Sequence, residues 1–300
     1  MKIFSAVDLA AVSYHDYIEA LRTAFRSEVT APQRFVAQTG PDTTLLTMPA
    51  WDKAFTGIKT VTVKGDNAAL GLPVVQGSYL LIDNATGAPV AVMDGTELTR
   101  RRTAAASALA ADYLARKDAA VLLLVGAGAL APHFARAHSA VRPIKRVLVF
   151  NRTQEKAVGV AKEIGGEAVT DLAAAMAVAD IVSGITSAHG AVILGQHVKP
   201  GTHLDLVGAY RPEMRETDAA AVGMARVYVD TREGALHEAG DLLLAEKEGQ
   251  FKWADIQGDL FELTRSKMMG RKTEAEVTLF KSSGTALEDL AAAKMVYLRG

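Results

Sequence analysis

At 300 residues and 49% hydrophobic content the chain is long enough for two domains with their own apolar cores, and 33 Lys and Arg against 34 Asp and Glu give a net charge of -1. No basic block and no interleaving of basic with aromatic residues points to nucleic acid, and zero cysteine excludes disulfides, thiolate nucleophiles and Cys-ligated metals. There is no apolar run of about 18 residues, residues 1–12 lack the order of a signal peptide, and the seven histidines show no H-E-x-x-H spacing, so a cytoplasmic protein with no membrane segment and no metal is expected.

In chain order, residues 2–4 read as a short strand, and Ile18, Leu21 and Phe25 form the apolar stripe of a helix. Segments 44–48, 57–63, 77–82 and 89–94 read as strands separated by turn residues such as Asp83, Asn84 and Gly87, which predicts a mixed or antiparallel sheet. Period two in the second of these places Lys59 with Val61 and Val63, opposite Thr60, Thr62 and Lys64. A lysine on an apolar face either snorkels to the rim or is held in a cleft by an anionic ligand. The residues alone leave both open.

A helix is expected from an N-cap at Thr96 to about Arg116. Arg101 follows Glu97 by four and reads as a solvated ion pair. Arg102 shares the packing face of Leu98, Ala105, Ala106 and Leu109, where it would clamp a carboxylate or else be buried against an internal Asp or a carbonyl. Arg34 is a third candidate whose position local pattern does not fix. These three cations have no obvious matching acids in the first hundred residues, which suggests an acidic small substrate.

Residues 121–153 organise the rest. The apolar run 121–125 stops at Gly126; Gly126, Gly128 and Ala131 fit G-x-G-x-x-[GA]; a helix follows, then a second apolar strand at 147–150. That order turns backbone N–H groups at a helix N-terminus towards a pyrophosphate, so Gly126, Ala127, Gly128, Ala129 and Leu130 are expected to touch a dinucleotide. After the second strand stand Asn151, Arg152 and Thr153 where NAD sites usually carry a carboxylate for the ribose 2′-OH. A guanidinium there can pair with a 2′-phosphate, so NADPH is the expected cofactor, with NADH less favoured.

Further strand–helix units follow, and the predicted strands 180–185, 203–207 and 226–230 end on one rim. Thr186, Ser187 and Gly208 are therefore further cofactor-binding candidates. His237, Glu238 and Asp241 read as surface residues, with Asp241 the one functional candidate among them. A glycine break at Gly284 precedes a last helix carrying Leu287, Leu290 and Ala291. The expected fold class is α/β, with a doubly wound Rossmann domain over 116–284.

The three cations, the helix opening through Leu98-Thr99 and Arg102-Thr103-Ala104, the VGAGA turn, and the tail Thr278-Leu279-Phe280-Lys281-Ser282 with Gly284 together resemble the ornithine cyclodeaminase/mu-crystallin family over nearly the whole chain. The resemblance implies a split α+β substrate-binding and dimerisation domain, 1–115 with 285–300, a homodimer, and an active site in a cleft. It also implies that Arg34 and Arg102 bind the substrate carboxylate, that Lys59 is the active-site lysine, and that Met48 lines the substrate pocket. The cyclodeaminases carry a catalytic aspartate in G-G-D-x-P, where this chain has Gly208-Ala209-Tyr210-Arg211-Pro212. Tyr210 thus replaces the base needed for cyclodeamination. G-A-x-R-P is similar to the ketimine reductase branch, which implies reduction of Δ1-pyrroline-2-carboxylate or the piperideine homologue. Lys59 and Arg102 would be catalytic there, with Arg34, Met48 and Tyr210 in the substrate pocket. Alanine dehydrogenase, ornithine cyclodeaminase and a non-enzymatic NADPH-binding protein are the alternatives.

Overall fold

The computed structural model describes residues 1–300, the side chain of Ala68 excepted. The chain forms two compact units, one of Met1–Thr103 with Thr285–Gly300 and the other of Ala104–Gly284.

The first unit begins with β1 (Lys2–Phe4), α1 (Ala6–Ala10) and α2 (Tyr14–Arg26). It continues with β2 (Phe35–Gly40), β3 (Thr43–Trp51), β4 (Phe55–Lys64), β5 (Val75–Asp83), β6 (Pro89–Asp94) and α3 (Gly95–Leu114). Helix α3 runs on into the second unit. The sheet order is β1-β6-β5-β4-β3-β2, antiparallel except for the parallel pair β1 and β6. Strand β2 carries no apolar alternation, and its Phe35 and Val36 are exposed, which is why pattern alone does not find it. Strand β3 continues through Pro49 because β2 pairing reaches only Thr47, so the missing proline N–H breaks no bond to β2.

In α2 the buried stripe is Tyr14, Tyr17, Ile18, Leu21 and Phe25, and the Ser13 hydroxyl caps the helix by accepting from Asp16 N–H. The cap of α3 is Asp94, whose Oδ1 accepts the Glu97 N–H at 2.8 Å, and not Thr96 as expected. The Thr96 hydroxyl instead accepts the Gly77 N–H.

The second unit contains β7 (Val121–Val125), α4 (Ala131–Ser139), β8 (Arg146–Phe150), α5 (Gln154–Ile164), β9 (Glu167–Val169), α6 (Leu172–Val178) and β10 (Ile181–Gly184). Then come β11 (His203–Leu206), α7 (Ala219–Met224), β12 (Arg226–Val229), α8 (Arg232–Glu238), α9 (Gly240–Lys247), β13 (Gly258–Asp259), α10 (Leu260–Thr264) and β14 (Thr278–Lys281). The last helix, α11 (Ala286–Arg299), belongs to the first unit, where it packs on α2 and on β3, β4 and β5.

All strands of the second unit run parallel in the order β13-β12-β14-β11-β10-β7-β8-β9. Their unbroken apolar runs, such as Leu122, Leu123 and Leu124, are buried as a sheet covered on both faces requires. From β7 the chain moves outward through β8 and β9, then crosses to β10 on the other side of β7. That reversal creates the crevice where ligands bind in doubly wound sheets, so the expected α/β Rossmann architecture is present.

Candidate active site

At the carboxyl end of β7, Gly126 has φ +118°, and a side chain there would press on the Ile185 carbonyl oxygen at 2.9 Å. Glycine is required for the turn itself. Gly128 differs: a Cβ at that position meets no protein atom within 4 Å, so the space beside it is left to a ligand. The N-cap residue Leu130 offers no side-chain acceptor to the following helix α4, and Pro132 removes only an N–H that lacks an intrahelical partner in any case. The open N–H groups thus suit an anion.

Gly126, Ala127, Gly128, Asn151, Arg152, Thr153, Lys156, Thr186 and Ser187 line one cavity of about 360 Å³. The expected cofactor residues are thus brought together there, except for Ala129, Leu130 and Gly208, which stand outside its lining. Asn151 serves the protein, because its Oδ1 accepts the Ala127 N–H at 3.2 Å and its Nδ2 donates to the Thr153 carbonyl at 2.9 Å. It pins the glycine turn to the end of β8. Arg152 and Lys156 are exposed and make no ion pair among the described residues. Lys156 is a cation that the sequence reading misses; its place in the first turn of α5, four residues after Arg152, is the available signal.

In the first unit Lys59 faces inward as the strand period requires, beside Met48 on β3 and Tyr79 on β5 in register, and all three are buried. Gly57 is needed because a Cβ there would overlap the Tyr79 phenol. Among the described residues the Tyr79 hydroxyl has no hydrogen-bond partner, and burial holds its pKa well above the usual phenol value. Its place beside Lys59 is legible only from the sheet register.

Lys59 and Arg102 have partners that the first hundred residues do not supply. Lys59 Nζ lies 2.8 Å from Asp289 Oδ2. Arg102 donates from Nε to Asp289 Oδ1 at 2.8 Å and from Nη1 to Glu288 Oε2 at 2.5 Å. Both acids sit in the first turn of α11 and are fully buried. The expectation that the cations lack matching acids is thus corrected: the acids are the last helix's contribution. Arg102 is buried against an internal Asp, and its Nη2 remains without a protein partner among the described residues.

Burial pushes the Lys59 ammonium down to about 8, helped by Arg102 and Arg34 and opposed by Asp289. For Arg102 burial is outweighed by Asp289 and Glu288, which raise its pKa and keep it charged. Arg34 precedes β2, is half-buried, and lies close enough to Lys59 to disfavour its charge. Arg101 proves not to be solvated. It is buried, bonds Glu97 Oε1 at 2.8 Å and the Val12 carbonyl at 3.0 Å, and lies over the rings of Tyr14 and Tyr17.

Tyr210 is exposed in the loop after β11, under the Arg211 guanidinium. Asp241 is fully buried, contrary to the surface reading, and accepts the N–H groups of Glu216 and Thr217. No cluster of potential metal ligands occurs among the described residues, and no helix is long and apolar enough to cross a membrane.

A family model described as ornithine cyclodeaminase/mu-crystallin family matches residues 1–299. The chain belongs to that family. Among its relatives, the Δ1-pyrroline-2-carboxylate reductase of Paracoccus denitrificans is 41% identical, the match covering 95% of this chain and 92% of the relative. The solved structure of Thermococcus litoralis Δ1-pyrroline-2-carboxylate reductase in complex with NADH and L-proline is 34% identical with a TM-score of 0.94, covering 100% of this chain and 97% of that one. An archaeal alanine dehydrogenase dimer with bound NAD is 29% identical with a TM-score of 0.92, covering 99% and 95%. This member of the ornithine cyclodeaminase/mu-crystallin family therefore resembles family enzymes over both of its units.

Proposed function

We propose that the protein is an NAD(P)H-dependent oxidoreductase acting on a C=N bond. Its substrate is a cyclic 2-imino acid: Δ1-pyrroline-2-carboxylate, reduced to L-proline, and the piperideine homologue, reduced to L-pipecolate. The observation that carries this reading is the buried pair Lys59 and Arg102, both bonded to Asp289, in which Arg102 Nη2 meets no protein acceptor among the described residues and so offers a charged donor edge to one carboxylate. The names of the Paracoccus and Thermococcus relatives support the choice of ring, and the dimer described for the archaeal relative supports a homodimer.

In this reading Arg34 and the unused Nη2 edge of Arg102 hold the substrate carboxylate. Met48 bounds the ring from the neighbouring strand. Asp289 fixes Lys59 and Arg102 in one geometry, so little side-chain freedom is lost on binding. Lys59, with a pKa near the working range, keeps the imine nitrogen protonated, which makes the carbon beside it electrophilic.

The glycine turn, with Ala129 and Leu130 at the start of α4, takes the dinucleotide, and Thr186, Ser187 and Gly208 fix its nicotinamide end. Bound NAD(P)H supplies the hydride. Arg152 and Lys156, two exposed cations lining the cavity, favour NADPH, because they can pair with a 2′-phosphate while the residues after β8 are Asn151, Arg152 and Thr153, with no carboxylate to repel it. The loop position of Tyr210 supplies no carboxylate base, so ornithine deamination is disfavoured.

The test is NADPH oxidation by the purified protein with Δ1-pyrroline-2-carboxylate, beside pyruvate plus ammonia and beside ornithine plus NAD. Turnover of the cyclic imine alone is expected. Faster turnover of pyruvate plus ammonia would move the assignment to alanine dehydrogenase.

A further inference from the structure

The mechanism above leaves unused a cluster of charges buried at the strand ends of the second unit. Glu216, Asp241 and Lys281 are all fully buried. Glu216 Oε1 accepts the Thr186 N–H at 2.6 Å and the Thr186 hydroxyl at 2.9 Å, and Oε2 accepts the Gly208 N–H at 2.6 Å. One carboxylate thus joins the turn after β10 to the turn after β11. The Thr186 hydroxyl accepts in turn from Ala188 N–H at 3.2 Å, and Thr186 and Ala188 both line the nucleotide cavity.

The surrounding backbone makes room for this carboxylate. A Cβ on Gly184 would stand 3.0 Å from the Glu216 carboxyl carbon, and one on Gly208 would overlap the Thr186 carbonyl. Asp241 Oδ1 accepts the backbone N–H groups of Glu216 and Thr217 at 2.7 and 3.0 Å, which orients the segment carrying the side chain. Lys281 Nζ lies 2.9 Å from Asp241 Oδ2. Two carboxylates therefore share one ammonium away from water, a combination that favours holding one proton. Structural need alone is a poor account of such a cluster, since apolar residues would fill the same volume at lower cost.

We propose that Glu216 is a positioning residue for the nicotinamide cofactor, and that its ionised form ties the Thr186 and Gly208 turns into the geometry that binds it. The proposal rests on the cofactor-site reading above. An ionised carboxylate accepts all three short bonds; a protonated one must turn a lone pair over to its own hydrogen and weakens them. The charged groups facing Glu216 are Lys281 on β14, which favours its charge, and Asp241 on α9, which opposes it. Burial is the larger effect and pushes the Glu216 carboxyl up to about 7, so the clamp changes state near neutrality.

The test is the Kd for NADPH, measured by fluorescence titration without substrate from pH 5.5 to 9, for the wild type and Glu216→Gln. In the ratio of the two constants the titration of the 2′-phosphate, with a pKa of about 6, cancels. The expected result is about tenfold weaker binding by the variant at pH 8 and equal binding at pH 5.5, the order expected from one charge-assisted bond. A ratio that does not change with pH overturns the proposal. Asp241→Asn, which keeps an oxygen for both backbone donors, provides a second reading. Removing its charge should carry the wild-type midpoint to lower pH, and an unmoved midpoint contradicts the proposal whether or not Glu216→Gln folds. If the wild type bound neither NADPH nor NADH, the underlying cofactor reading would fall as well; binding with coincident profiles would remove only the clamp.

Discussion

Arg102 and Asp289, 187 positions apart, meet through a 2.8 Å bond from Nε to Oδ1 in which both side chains are buried. Asp289 Oδ2 at the same time faces Lys59 Nζ at 2.8 Å. One carboxylate from the last helix thus sets both the position and the charge of the cations on β4 and α3.

Asp289→Asn should therefore damage stability and function together. Removing one partner of a buried charge pair costs about 3–5 kcal/mol, read as a lower midpoint in urea unfolding. Without its anion the Lys59 ammonium should lose its proton more readily, so kcat/KM for the cyclic imine should fall at a lower pH than in the wild type. Unchanged stability with an unchanged pH profile would mean that the α11 acids do not govern this cluster.

Lys59, titrating at about 8, is protonated below that pH and neutral above it. A proton-donating or carboxylate-binding Lys59 predicts that kcat/KM is level below pH 8 and declines up to about tenfold per unit above it. Lys59→Arg keeps its charge throughout, so any surviving activity should lose this decline. A wild-type profile that stays flat to pH 10 would count against a role for the ammonium.

Cofactor choice is tested at Arg152 and Lys156. Arg152→Ala and Lys156→Ala should each weaken NADPH binding by about tenfold or more, as expected for loss of a charge-assisted hydrogen bond, and leave NADH binding within about twofold. Equal losses for both nucleotides would show that these cations do not read the 2′-phosphate.

Much of the second unit is legible in the sequence because its signals are local. The apolar run ending at Gly126, the spacing to Gly128 and Ala131, and the missing carboxylate after Phe150 lie within one strand-turn-helix-strand unit. Inward-facing Lys59 is legible from the strand period. The partners are not: Glu288 and Asp289 reach Lys59 and Arg102 only through tertiary packing of α11, and no spacing rule spans that distance. For the same reason Arg101 reads as solvated, since Tyr14, Tyr17 and the Val12 carbonyl that bury it come from another part of the chain. Glu216 offers no pattern at all, because its donors, two backbone N–H groups and the Thr186 hydroxyl, stand on two separate turns.

Gly126 allows a test of the turn that leaves every charge in place. With φ +118° and the Ile185 carbonyl oxygen only 2.9 Å from where a Cβ would stand, Gly126→Ala should cost about 1–3 kcal/mol in unfolding experiments and displace the turn. NADPH binding should weaken along with it. Gly128→Ala, where the protein leaves open space, should weaken binding with little loss of stability.

The most direct measurement of the central claim follows the hydride itself. With NADPH deuterated at the transferring position of C4 and Δ1-pyrroline-2-carboxylate as substrate, the account predicts L-proline carrying one deuterium at C2, detected by mass spectrometry and NMR. Cofactor binding without labelled proline, or label appearing in alanine from pyruvate and ammonia but not in proline, would contradict it.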